Sequence, residues 1–439
     1  MDAISFKSKF KNHSEAKKAL VEYYTAFSAA VVTSRPQLLD SQFGFTFGSS
    51  GWVNRTSDMI ETSKQFSNYI TKMLGARFGD EKVLSDLIQN AAHDSLKSSH
   101  SAAQFQDAVL LAISKTLDQD FEIYLPNRLV TLGPRIRPLK IGNVRVLSLV
   151  HLDSEIQELV AEIEKPHPNL SLQISHSDNQ ISVNMPGHII MVPSSKMMWA
   201  VKVNVSRRHV NEEAIWQIGI AVSLMRLLSN DWCGREPSIG DIEPNAVTYD
   251  KFSGDNALLR NGSNLSFGGG KIPGHYIVDS KISKRLRAKK SVGIINNVFN
   301  HRSGTIGEQV YNALGWLSRG RQAIDRSEKL LYFFTAIEAV LSRGNDSPVI
   351  DTIARHGSVM LSANVQNRPD IAKRFKRLYG FRSSTVHKGA RDASNLAVKE
   401  AELLASILLY VALLKIDMSQ KHTTFSEHLS SASYGLHWP

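Results

Sequence analysis

The spacing of apolar residues changes twice along this chain, and that change limits the available folds more than any single motif does. Up to about residue 115 the apolar positions recur at helical spacing, as in Ala16, Ala19, Leu20, Tyr23 and Phe27 of a segment from Ser14 to Val31. Further helices are expected around 57–75, 79–96 and 102–117, with a glycine-rich aromatic patch, FGFTFGSSGW (43–52), among them. From about 120 the period becomes two. Leu170, Leu172 and Ile174 share one face, Val201, Val203 and Val205 alternate with Lys202 and Asn204, and Ser177-Asp178-Asn179-Gln180 reads as a hairpin turn. Asn211, followed by Glu212 and Glu213, is placed to cap a helix through about Leu228. From about 305 to 417 the helical period returns.

The implied class is α+β and multidomain, as suits 439 residues. A mostly helical N-terminal region (1–115) precedes an α+β region with a mainly antiparallel sheet (116–272). A basic linker (273–304), an all-α bundle (305–417) and a polar tail (418–439) follow. Within the bundle, Asp325 and Glu328 make a capping-box-like start for SEKLLYFFTAIEAVLS, with Gly344 as its stop. That segment is apolar on most sides and belongs at the centre of its bundle. Pro369 suits the first position of a basic helix, and Ser394 caps a last long helix to about Ile416. Residues 229–272, rich in Gly, Asn, Ser and Asp, read as loops.

Charge divides the chain differently. Residues 271–439 hold 25 Lys and Arg against 13 Asp and Glu, a balance of +12, whereas the first 270 residues balance at −1. Such an asymmetry fits a polyanion partner, nucleic acid first, and equally a soluble domain that is merely basic. KISKRLRAKK (281–290) packs six basic residues into ten positions and suits either a phosphate backbone or a solvated linker. One cysteine, Cys233 beside Trp232, excludes a disulfide framework and a multi-cysteine zinc site within one chain. It is expected to be a structural thiol in a reducing compartment. No secretory pattern follows the lysines of the first twenty residues, and the apolar run Leu403–Leu414 is too short to span a bilayer, so a cytoplasmic protein without membrane contact is expected.

Several catalytic patterns are missing. There is no H-E-x-x-H, no pair of histidines at helical metal spacing and no G-x-S-x-G, and FGGGK (267–271) lacks the residues of a phosphate loop. No metal or cofactor is expected. What remains is KRFKRLYGFRSSTVHKGARD (373–392), where a basic helix is expected to end near Gly380 and Arg382 and His387 follow as R-x4-H. An arginine holds a phosphate oxygen through paired hydrogen bonds, and a histidine exchanges a proton near neutrality. Together they are the parts of a metal-free RNA cleavage, in which the ribose 2′-hydroxyl is the nucleophile. Spacing alone leaves a structural histidine near a helix end as the commoner explanation.

Two blocks in this third of the chain resemble the HEPN superfamily, and within it the Apea-like HEPN domains. One is SEKLLYFFTAIEAVLS, with Glu338 where these domains carry a polar residue among apolar ones. The other is LYGFRSSTVHKG (378–389), matching Leu-Tyr, Arg, then hydrophobic-His-x-Gly. GWLSRGRQAIDRSEKL (315–330) fits the lead-in helix, and 394–416 the closing one. Less closely, IGNVRVLSL (141–149) and MWAVKVNVSRRHVNEEAIWQIGIAVSLMRLL (198–228) look like the segment preceding such domains, implying a sensor ahead of an effector. The resemblance implies a helical bundle that pairs with a second copy, homodimeric or larger, so that two R-x4-H motifs line one cleft. Arg382 and His387 become the expected catalytic residues, with Glu338 orienting Arg382 or acting as an ordinary helix carboxylate. Lys373, Arg374, Lys376, Arg377, Tyr379, Ser383 and Lys388 are candidate RNA contacts, a solvated basic face being the other explanation. Ser383 departs from the Asn, Asp or His that often follows the arginine. The expected activity is that of a toxin-like or anti-phage endoribonuclease acting on RNA such as a tRNA loop. The alternative is a non-catalytic HEPN module that dimerises and binds RNA or a protein.

Overall fold

The computed structural model describes residues 3–32, 45–47, 51–53, 56–75, 81–117, 120–127, 130–164, 173–177, 180–185, 188–193, 196–229, 258–261, 264–267, 276–323, 325–342, 349–391 and 393–436. Cys233, Trp232, Leu170, Leu172, Gly344, most of 229–272 and most of the FGGGK run lie outside them. The protein is mostly helical, with an antiparallel sheet in the middle of the chain and helices at both ends, so the class is α+β. It divides into two compact bodies, residues 1–123 with 202–214, and residues 124–201 with 215–439.

In the first body, α1 (Ala3–Lys11), α2 (Ser14–Ala29), α3 (Ser57–Leu74), α4 (Glu81–Lys97) and α5 (Ala102–Leu117) pack around Phe6, Phe10, Phe27, Phe66 and Phe105, all fully buried. The starts follow local chemistry: Thr56 Oγ1 accepts the Met59 amide at 3.2 Å and caps α3. Tyr24 stacks on Phe105 with centroids 4.5 Å apart and donates its hydroxyl to the His100 carbonyl. Three short antiparallel strands, β1 (Val31–Val32), β2 (Phe45–Phe47) and β3 (Gly51–Val53), run in the order β1-β3-β2.

The middle of the chain holds β4 (Phe121–Asn127), β5 (Val130–Leu132), β6 (Leu139–Ile141), β7 (Val144–Ser148) and, after α6 (Leu149–Glu164), β8 (Gln173–Ser177), β9 (Gln180–Met185), β10 (His188–Pro193) and β11 (Met197–Val203). One sheet has the order β4-β11-β7-β6, and β8, β9 and β10 form an antiparallel meander. Ser177 and Gln180 are the closing pair of the β8–β9 hairpin. Arg145 of β7 makes two hydrogen bonds to Glu155 of α6, at 2.6 and 2.9 Å. Helix α7 (Val210–Leu228) starts earlier than its sequence suggests. A 3-10 turn over Arg207–His209 runs straight into it, so Asn211 lies within the first turn instead of capping it.

A hairpin of β12 (Leu258–Asn261) and β13 (Asn264–Phe267) falls in the segment expected to be loop. Next, β14 (Tyr276–Val278) pairs in parallel with β5. The segment expected as a basic linker is folded. Asp279 caps α8 (Ser280–Leu286) by accepting the Ile282 amide at 2.8 Å, and α9 (Lys289–Phe299) follows. Its cations stay outside while Leu286, Ile295 and Val298 are buried, which is why charge hid the fold.

Helices α10 (Ile306–Gln322), α11 (Arg326–Leu341), α12 (Val349–Leu361), α13 (Arg368–Lys388), α14 (Asn395–Lys415) and α15 (His422–Ser433) complete the chain. Asp325 accepts the Ser327 and Glu328 amides to start α11, and Ser394 accepts the Ala397 amide to start α14. The Arg391 guanidinium, hydrogen-bonded to Asp325, and these cap amides hold the Asp325 carboxyl below its usual range. Helices α10 and α11 touch closely because Gly320 leaves room for the Phe333 ring. The expected polar tail is also folded: α15 buries Phe425, Leu429 and Ala432, an i, i+4, i+7 stripe concealed among serines and histidines. Fully buried His356 of α12 places Nδ1 3.2 Å from the Leu341 carbonyl and Nε2 2.9 Å from Ser430 Oγ of α15. No helix of the described residues is long and apolar enough to cross a membrane.

Candidate functional site

Helix α13 carries every candidate site residue but Glu338. Pro369 occupies its first turn and Asp370 lies at the favourable end of its dipole. The helix does not end near Gly380. It continues to Lys388 and stops at Gly389, whose φ of 64° is left-handed and favours glycine. Gly380 sits in open space, and the helix passes through it because Phe375 and Leu378, both fully buried, anchor the turns before it.

Phe375 and Leu378 define the inward stripe, and Arg382, four residues after Leu378, continues it. Arg382 Nη2 donates to Glu338 Oε2 of α11 at 3.1 Å, with the two side chains 21% and 17% exposed. Its guanidinium carbon lies 5.6 Å from the centre of the Tyr379 ring, which in turn meets Phe334 edge-on. Burial pushes the Glu338 carboxyl above its ordinary pKa, and Arg382 opposes part of that shift. Arg382 Nε is buried and faces no acceptor among the described residues.

His387 belongs to another stripe. Five residues at 100° each separate it from Arg382 by about 140° around the helix and about 7.5 Å along it. With Lys376, Gly380 and Ser383 it lines a groove of ≈ 480 Å³, completed by Tyr379, Ser384 and Lys388 and by Ile350 and Asp351 of α12. The sequence did not point to Asp351. Its only signal is a lone carboxylate at the start of an apolar helix. The His387 side chain is exposed and makes no hydrogen bond or ion pair among the described residues, and the same holds for the Lys388 side chain.

Most of the remaining cations of α13 pair with carboxylates, while Arg368 bonds the Ser362 and Ala432 carbonyls. Lys376 pairs with Asp351 at 2.7 Å and Lys373 with Asp370 at 3.6 Å, while Arg374 and Arg377 both bind Glu400 of α14. Arg382 and Glu338 are therefore together, and His387, Ser383, Lys376, Tyr379 and Lys388 are together. Arg374, Arg377 and Lys373 share two carboxylates, Glu400 and Asp370, and so leave one net positive charge.

No family model, no curated protein and no solved structure matches this chain. What the site can do rests on its own chemistry. Among the described residues no three His, Cys, Asp or Glu side chains converge in a metal-binding group. The groove offers an imidazole, an ammonium and hydroxyls to an incoming anion. The arginine lies on the adjacent face, where Glu338 fixes its direction.

Proposed function

We propose that this chain is a metal-independent endoribonuclease of the HEPN type, acting in the cytoplasm as a toxin-like or anti-phage defence effector. Its C-terminal helices would be the HEPN bundle and the preceding regions the sensor. The observation that carries this reading is the exposed, unengaged His387 beside Lys388, on a hydroxyl-lined groove next to an arginine held by Glu338. His387 takes the ribose 2′-hydroxyl proton as the 2′-oxygen attacks phosphorus. The bond from phosphorus to the 5′-oxygen breaks, that oxygen leaves with a proton, and the products carry a 2′,3′-cyclic phosphate and a 5′-hydroxyl. Arg382 stabilises the charge gathering on the phosphorane oxygens. Because Arg382 and His387 diverge by about 140°, the reading places two copies of the chain around one scissile phosphate, each presenting its motif. A flexible single-stranded segment such as a tRNA loop is the expected substrate, because it admits in-line attack by the 2′-hydroxyl.

The same divergence, with the Arg382 charge already met by Glu338, favours a second reading. In it the chain is a non-catalytic module that dimerises and binds RNA or a protein, and both residues serve packing or phosphate contact. Incubating wild-type and His387→Ala protein with total bacterial RNA in EDTA, then analysing fragment ends, separates the two. Cyclic phosphates from the wild type alone support the enzyme. RNA binding without cleavage in either form supports the module, and cleavage by both removes His387 from the site.

A further inference from the structure

Five of the seven Lys and Arg side chains of α13 are ion-paired with carboxylates, and those of α8 and the start of α9 are not. Lys281, Lys284, Lys289 and Lys290 are all exposed, and none is within ion-pair distance of a carboxylate among the described residues. Arg285 and Arg287 bond to backbone carbonyls instead: Arg285 to Ser229, and Arg287 to Arg137 and Pro138 at 3.0 and 2.9 Å. A carbonyl dipole satisfies a guanidinium's donors but leaves its full charge in place. Asp279, the one carboxylate in residues 276–302, is occupied in capping α8.

The Arg287 bonds also fasten a second piece of chain to this helix. Strands β5 and β14 are parallel, so the loop after β5 and the helix after β14 leave from the same end. The Gly133 amide bonds the Val278 carbonyl at 3.0 Å, and the loop that follows carries Arg135 and Arg137, both exposed. Segments far apart in sequence thus build one cationic surface, and its like charges repel one another without an internal counter-charge. A fold that holds such a surface rigid has its compensation in an external polyanion.

Resting on the ribonuclease reading, we infer that the α8–α9 strip with the Gly133–Pro138 loop is the surface that grips the RNA backbone, while the α13 groove holds only the nucleotides at the cleavage point. Each phosphate contact made by such a surface releases counterions and adds about 0.7 to the slope of log K against log salt for a single strand.

The test uses the full chain carrying His387→Ala, so that cleavage does not disturb binding, and a fluorescein-labelled 20-nucleotide uridine RNA. Lys281, Lys284, Lys289 and Lys290 are replaced together by Gln. A control of equal charge replaces Lys7, Lys9, Lys64 and Lys97, which are also exposed. The strip variant should bind at least about tenfold more weakly at 100 mM salt, with a slope shallower by about 2 to 3. The control should lose less than about threefold. Equal losses in both, or unchanged binding in the strip variant, would overturn the inference while leaving RNA as the ligand. Strip-dependent binding to anionic phosphatidylserine vesicles with RNA affinity unchanged would overturn it in favour of a lipid surface. A parent chain that binds no RNA at 50 mM salt would remove the ribonuclease reading and this inference together.

Discussion

Arg382 and Glu338 are coupled through a half-dry contact, and the coupling has a signed pH consequence. Burial raises the Glu338 pKa, so the folded chain holds that proton more tightly than the unfolded one. The stability this gives is full below the ordinary carboxyl range and is lost as pH rises through the folded value. Removing Arg382 takes away the one partner that opposes the shift, leaving an ionised carboxylate in a site only 17% exposed at neutral pH. Arg382→Ala is therefore expected to cost about 1–3 kcal/mol at pH 8 and less at a pH low enough for Glu338 to take up a proton. Urea denaturation at the two pH values checks this. Adding Glu338→Gln should flatten the difference, and a loss independent of pH would mean that packing dominates. The divergence of Arg382 from His387 follows from their spacing on any helix. Their actual neighbours, Glu338 and Asp351, are set by which stripe of α13 is buried, and that depends on tertiary contacts.

At the scale of elements, capping chemistry was legible because it is local. Asp325 and Ser394 mark helix starts by accepting amides two or three residues on, and Pro369 does so through its fixed φ and missing N–H in the first turn. Gly380 misled because a glycine in a polar helix has the same appearance as a stop, whereas the real stop at Gly389 is defined by its positive φ. Helix α15 was hidden by polar residues around a narrow apolar stripe, and α8 by its charge. The two glycine environments give opposite predictions. A Cβ at Gly320 would lie 2.5 Å from the ring of Phe333, a residue 1% exposed, so Gly320→Ala should cost about 1–3 kcal/mol and lower Tm. A Cβ at Gly380 would meet nothing within 4 Å, so Gly380→Ala should stabilise α13 by up to about 1 kcal/mol. Thermal melts of the two variants decide the point, and a stabilised Gly320→Ala would contradict the close packing of α10 on α11.

Across the whole molecule the charge balance of +12 in residues 271–439 was legible from composition, but its distribution was not. Glu400 and Asp351 offset part of the stretch most crowded with cations in the motif helix, whereas the lysines of α8 and the start of α9 face no carboxylate within ion-pair distance among the described residues. If two chains complete one cleft, cleavage per chain should fall on dilution below the dissociation constant of the pair. Rates measured across a hundredfold range of protein concentration, with gel filtration at the same concentrations, test this, and a constant specific rate would argue for action by single chains. The parallel pairing of β14 with β5 bears on how the protein is made. Val130–Leu132 leaves the ribosome roughly 145 residues before Tyr276–Val278, its partner, and at cellular rates that interval is on the order of 10 s. Throughout it the β5 edge has no β14 to bond. The middle of the nascent chain thus offers an open strand for pairing with other chains, and this protein should depend on a holding chaperone during synthesis more than its helical content suggests.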